Sequence, residues 1–174
     1  MHKDALVQLL EEKHAVLLDW LEQQDKDHWE SGPENKWTTG QVALHLLQSI
    51  KPLNDAMSMP KFLLRYRFGK ANREVREYDT IVKRYHEKLK EATGRVSPFS
   101  RPMKPVPFSD KNYILTRLQM ENKKLQYKTQ KWKDKHLDLY VLPHPLLGKM
   151  LVRELVMWTA YHVEHHTKQL QSSY

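Results

Sequence analysis

Residues 37–50, WTTGQVALHLLQSI, decide how the whole chain is read. Thr38 stands where a helix N-cap would, with Gln41 three positions on to complete a capping box. Trp37 and Val42 flank that start at the positions of a hydrophobic staple. Beyond the cap, Val42, His45, Leu46, Ser49, Ile50 and Leu53 recur at helical spacing and share one face. The stretch therefore predicts an amphipathic helix that carries a single ionisable group, His45, on its inward side. Pro52 is expected to kink or end it.

The same period appears on either side. Towards the N-terminus, Leu6, Leu9, Leu10, Val16, Leu17, Trp20 and Leu21 form one stripe and predict a helix over about 2–27, closed by the SGPEN break. Towards the C-terminus, Tyr78, Ile81, Val82, Tyr85 and Leu89 mark a shorter helix. The run GRVSPFSRPMKPVPFSD at 94–110 is too proline-rich for regular structure and is long for a loop, the form a functional cover takes. Ser109 or Asp110 caps a third long helix over about 110–134, with Tyr113, Ile114, Leu118, Leu125 and Trp132 as its core positions. LPHPLLG is the last connector, and a fourth long helix is expected from about Lys149 to Gln171. No strand alternation and no internal repeat is visible. The expected fold is all-α: one domain over 1–174, an antiparallel four-helix bundle with a partly helical, Pro-rich insertion between its second and third helices.

Bulk composition narrows the function classes. The chain has 174 residues, 40% of them apolar, with five Trp and eight Tyr, enough for a real core. It contains no Cys, which excludes disulfides, thiolate metal sites and a cysteine nucleophile. No signal peptide and no run of about 18 apolar residues is present, so a cytoplasmic protein without a membrane partner is expected. The net charge of +8 permits contact with anions. The basic residues are interspersed with acids and accompany no nucleic-acid-binding motif, so nucleic acid is not the expected partner.

The C-terminal helix holds YHVEHHTKQL, residues 161–170. One residue advances about 100° around a helix, so His162 and His166 lie about 40° apart on one face. Leu151, Leu155 and Thr159 precede them on that stripe, which points them into the bundle. An i, i+4 pair of imidazoles can reach one divalent ion at the ~2.0–2.1 Å bond length such ions take. The HEXXH pattern of metalloproteases is absent. His45 supplies a second inward histidine position. His165 is an alternative ligand or a group beside the site, and Tyr161 and His14 are further candidates for that neighbouring role. His2, His28, His86, His136 and His144 read as surface residues.

These segments together resemble the DinB-like proteins, helical bundles that include bacillithiol-dependent S-transferases. The resemblance rests on WTTGQVALHL, on the HPLLGKMLVREL stretch and on YHVEHHTKQL. It touches both halves of the chain and is weak over 58–109. The family pattern of one His on the second helix and an HxxxH pair on the last maps onto His45, His162 and His166. It implies a three-His site for a divalent transition metal (zinc, nickel or iron), a small-molecule substrate and a low-molecular-weight thiol cosubstrate. Arg65, Arg67, Arg73 and Arg101 are candidates to hold an anionic thiol.

The leading expectation is a metal-dependent thiol transferase or hydrolase acting on a small electrophile. The alternative is a non-catalytic metal-binding or stress-response bundle protein, with a basic nucleic-acid-binding module as a remote third. Val152, Val156, Ala160 and Val163 form a second apolar stripe on the last helix, from which a homodimer is expected.

Overall fold

A computed structural model describes residues 1–92 and 103–174. In chain order it contains α1 (Lys3–Glu22), α2 (Lys26–Glu30), α3 (Thr39–Ser58), α4 (Lys61–Phe68), α5 (Tyr78–Ala92), α6 (Lys111–Lys131), α7 (Asp134–Leu137), β1 (Val141–His144), β2 (Gly148–Leu151) and α8 (Val152–Ser173). A 3₁₀ turn, Phe108–Asp110, leads into α6. No helix among the described residues is long and apolar enough to cross a membrane.

The cap read at Thr38 forms. Thr38 Oγ1 accepts from the Gln41 backbone N–H at 3.2 Å, and the Gln41 side-chain oxygen accepts from the Thr38 N–H at 2.8 Å. Gln41 also donates to Met103 O at 2.6 Å, tying the α3 start to the segment before α6. Pro52 does not end α3, which continues to Ser58. Leu53 and Met57 are buried beyond it, and buried Asn54 donates to Glu121 O at 2.9 Å and Glu121 Oε2 at 2.8 Å. That packing outweighs the roughly 3 kcal/mol that an internal proline costs.

The four long helices α1, α3, α6 and α8 make the bundle, each of α1 and α3 packing on both α6 and α8, while α5 covers α8 from outside. Contacts between the helices set their directions. Lys3 reaches Gln130 O at 3.2 Å and Lys111 reaches Glu22 O at 2.9 Å, so α1 and α6 are antiparallel. Asn54 meets Glu121, and Met57 O accepts from Trp132 Nε1 at 3.2 Å, so α3 and α6 run parallel. Lys13 pairs with Glu164 at 2.9 Å and Arg153 donates to Met1 O at 2.8 Å, so α1 and α8 are parallel as well. The expected all-antiparallel order is therefore corrected. Between α3 and α6 the chain passes through α4 and α5 and returns to the end where α3 began. The Pro-rich stretch between α5 and α6 lies partly at 93–102, outside the described residues, as does Arg101.

Three further expectations change. The helix expected over 2–27 stops at Glu22 and restarts as α2, where Asp25 accepts from the His28 N–H at 2.9 Å. Val16 and Tyr113, both assigned to the core, are exposed, because each sits at the margin of its stripe. The last connector is a β-hairpin: Val141 pairs with Leu151 and His144 with Gly148. Gly148 turns it with φ +73, a conformation open to glycine. The His144 imidazole caps the same turn, its Nδ1 accepting from Leu146 N at 3.1 Å and Leu147 N at 3.0 Å. The second stripe on α8 (Val152, Val156, Ala160 and Val163) is buried within the single chain, and needs no second subunit to cover it.

Gly40, in the first turn of α3, lies against the fully buried Trp29. A Cβ there would stand 2.6 Å from Trp29 Nε1 and 2.8 Å from Trp29 Cε2. Gly40→Ala is expected to destabilise the fold by about 1–2 kcal/mol, overpacking exceeding the gain in helix propensity. A urea midpoint equal to wild type would show that the indole moves aside without cost.

Candidate metal centre

α3 and α8 meet along a seam that brings His45 opposite His162 and His166. The Nε2 atoms of His45 and His162 are 3.2 Å apart, and those of His162 and His166 are 3.1 Å apart. Ligand nitrogens from all three lie within 4.8 Å of one another. Two nitrogens bound at ~2.0–2.1 Å in a tetrahedral site stand about 3.3 Å apart. Two of the three pairs thus have the spacing of a ligand set to within a few tenths of an ångström, while the His45–His166 pair, within 4.8 Å, would have to close by up to about 1.5 Å around an ion.

The histidines differ in depth and support. His162 is 3% exposed and forms the floor, while His45 and His166 are half-buried and form the open side. Ser49, one turn along α3 from His45, donates its hydroxyl to Leu46 O at 2.8 Å. Its oxygen is therefore free to accept from His162 Nδ1–H at 3.4 Å. That bond leaves Nε2 of His162 as a bare lone pair facing the other two rings, which is how an outer hydrogen bond prepares an imidazole for a metal. His166 Nδ1 is buried without a hydrogen-bond partner.

Aromatic rings wall the cluster. Trp158 stacks on His162 with centroids 4.5 Å apart, and Trp37 lies 4.8 Å from His45. Tyr85 of α5 meets His162 edge-on at 6.2 Å. In this setting burial depresses basicity. It pushes His45 down to about 4. Burial, then the nearby His45 and His165, push His166 to about 3, with the Gln169 side chain opposing. His162 falls well below its ordinary value through burial and then the neighbouring histidines. All three rings are neutral at pH 7, the form that binds metal.

The remaining candidates fall outside the cluster. His165 is half-buried and turns towards α5, its ring 5.7 Å from Tyr85 and 5.8 Å from His86. The Tyr161 hydroxyl is hydrogen-bonded to His86 Nε2. His14 donates Nδ1–H to Leu10 O at 2.8 Å within its own helix, and its Nε2 is buried without a partner. It contributes no nitrogen to the cluster. Arg73 is committed elsewhere: its guanidinium grips the Glu154 carboxylate at 2.5 and 2.7 Å. Arg65 and Arg67 are exposed on α4, which packs on β1. A cleft of ≈ 350 Å³ lined by Glu30, Thr38, Pro105, Val106 and Pro107 includes none of the histidines.

Sequence reasoning missed two residues here. Ser49 was visible on the inward face of α3, yet its service to His162 spans two helices. His144, read as a surface residue, is buried with its ring 4.3 Å from Trp158. The hairpin that carries it inward had no readable signal.

The class of protein is set by these features: a four-helix bundle with a three-histidine cluster between two of its helices. No family model matches the chain, and no curated protein matches it. Among solved structures, the crystal structure of TT2238, a four-helix bundle protein, is similar over 99% of this chain and 100% of that one. The TM-score is 0.61 and the identity 17%, a likeness of fold.

Proposed function

We propose that the chain is a DinB-like protein whose His45, His162 and His166 hold a divalent transition metal. On this reading it is a metal-dependent thiol S-transferase or hydrolase for a small electrophile. The observation that carries the proposal is the convergence of three neutral imidazoles, with His162 Nε2 left bare by the Ser49 contact. A divalent ion held by three uncharged ligands keeps its full charge and can acidify a bound water or thiol, the chemistry of hydrolysis and of thiol transfer. The chain has no cysteine, so a thiol nucleophile is a cosubstrate. Its own residues present the rings from two rigid helices, and Trp37, Tyr85 and Trp158 shield them from bulk water.

A second, non-catalytic metal-binding reading is favoured by the depth of His162, since a structural site is closed and a catalytic one keeps a position open. A homodimer would form through a surface other than the buried α8 stripe.

Metal content tests the site directly. Protein purified without a nickel column should carry close to one zinc, nickel or iron per chain by elemental mass spectrometry. His45→Ala, and His162→Ala combined with His166→Ala, should each retain under about a tenth of that, because two imidazoles hold a divalent ion far less firmly than three. Wild type that stays metal-free after incubation with zinc and with nickel would end the proposal. With metal present, thiol-dependent loss of an electrophile separates the enzyme from the non-catalytic alternative.

A further inference from the structure

α4, KFLLRYRF, carries apolar residues on two sides, with Leu64 and the partly buried Phe68 packed on the core. Leu64 is its one buried residue, whereas Phe62 is 75% exposed and Tyr66 is 89% exposed. Phe62 and Tyr66 are four residues apart, about 40° on the helix, with the exposed Leu63 beside them. A second apolar side of α4 thus faces away from the bundle, which folding alone does not select. Arg65 and Arg67 fall on the two flanks of that ridge and are exposed.

The surroundings are cationic. Lys61 rides over the Trp132 ring at 3.1 Å, and burial and then Lys128 push it down to about 8. Burial first, and then Lys135, Lys61 and Lys133, depress His136, so those lysines lie around it. Lys70 follows α4 and joins Tyr140 by a backbone bridge, keeping it on the same side. Arg65, Lys70, Lys133 and Lys135 have no carboxylate partner among the described residues. Of the acids near these cations, Asp134 and Asp138 are bound to Arg153, and Asp55 and Glu121 lie near Lys128.

We propose that α4 is a docking surface for an anionic phospholipid bilayer, with Phe62, Leu63 and Tyr66 entering the interface and Arg65, Arg67 and Lys70 meeting lipid phosphates. Charge complementarity calls for a polyanion, and the shape of the patch selects among polyanions. Single-stranded nucleic acid is held in a basic groove that stacks bases on aromatic rings. Here the aromatics form a convex ridge with guanidiniums on both flanks, which suits a planar interface that apolar side chains enter while arginines stay at headgroup level. The expectation of no membrane partner rested on the lack of a spanning segment, and surface docking needs none. This inference is independent of the metal centre.

The test is cosedimentation of the intact chain with phosphatidylcholine vesicles, alone or with a third of phosphatidylglycerol. Wild type should sediment with the anionic vesicles only, and added salt should weaken that binding. Phe62→Ser with Tyr66→Ser, and separately Arg65→Gln with Arg67→Gln, should each lower the partition coefficient about tenfold or more. All four side chains are exposed, and an unchanged thermal midpoint confirms that the variants fold. In addition, Phe62→Trp should shift its emission to the blue on the vesicles. Wild type that stays in the supernatant overturns the proposal, as does binding that survives the Phe62/Tyr66 change. Tighter binding to a single-stranded oligonucleotide at the same salt, lost in the same variants, would also overturn it and assign the patch to nucleic acid.

Discussion

Glu154→Ala is expected to lower the unfolding free energy by about 3 kcal/mol, the largest loss for a single residue outside the hydrophobic core. Glu154 opens α8 and is 0% exposed. Burial alone would raise its carboxyl. Hydrogen bonds from the Arg73 guanidinium and from the backbone N–H groups of Arg76 and Leu151 instead hold it below its ordinary value. One carboxylate thus accepts from Arg73 at 2.5 and 2.7 Å, from Arg76 N at 2.9 Å and from Leu151 N at 3.1 Å. It joins the segment between α4 and α5 to the junction of β2 and α8. Alanine leaves two backbone donors and a void in its place, while Arg73 and Arg76, both partly exposed, can turn to water. That escape keeps the cost near the lower end of the ~3–5 kcal/mol seen when one member of a buried pair is removed. In a chain of this length about 3 kcal/mol is a fall in Tm of roughly 6–12 °C. Arg73→Ala should cost a similar amount, and the double variant should cost far less than the sum. A Glu154→Ala chain within about 1 kcal/mol of wild type in urea would show that the cluster is not what holds this corner.

The Glu154 cluster also marks the limit of what the sequence reveals. Arg73 and Glu154 are 81 residues apart, and no periodicity links them, so Arg73 read as a free cation suited to an anionic ligand. The same limit hid the parallel run of α3 and α6, which depends on where the chain returns after α5. Local patterns carried much further. The Thr38–Gln41 box was written in four residues, and His162 and His166 shared a face by helical geometry alone. His45 needed only the inward stripe of α3. Those elements hold because propensity, capping and apolar period agree there. At 141–151 they conflict. The two strands are four residues each, too short for alternation to register, and Pro143 argues against a strand until its place in an exposed pair with Lys149 is seen. His144 followed that misreading to the surface, although the turn it caps requires it inside.

Acid should unfold the metal-free protein earlier than its carboxylates alone would dictate, and His14 is the reason with the cleanest test. Burial pushes His14 from 6.5 down to about 4, against small opposing effects of the Leu10 carbonyl and Glu11. The folded chain therefore resists protonation while the unfolded chain takes up the proton near pH 6.5. Between those values the unfolded state binds more protons, so stability rises with pH across the window and is complete above about 6.5. Falling from pH 6.5 to 4.5, His14 alone should remove about 2–3 kcal/mol. His144, also held down to about 4 by burial, adds a loss of the same sign. His14→Leu isolates the first contribution. The change removes a buried Nε2 that has no partner, so at pH 7.5 it should leave stability unchanged or raise it by about 1 kcal/mol. At pH 4.5 the variant should outlast wild type by a further 2–3 kcal/mol, read as urea midpoints on chelator-treated samples so that metal release does not enter. If both proteins lose stability in parallel between the two pH values, His14 is already protonated in the fold, and its burial does not act as the structure implies. Should the wild type be the flatter of the two, the sign itself is wrong, and an anionic partner for His14 would have to be found among α1, α6 and α8.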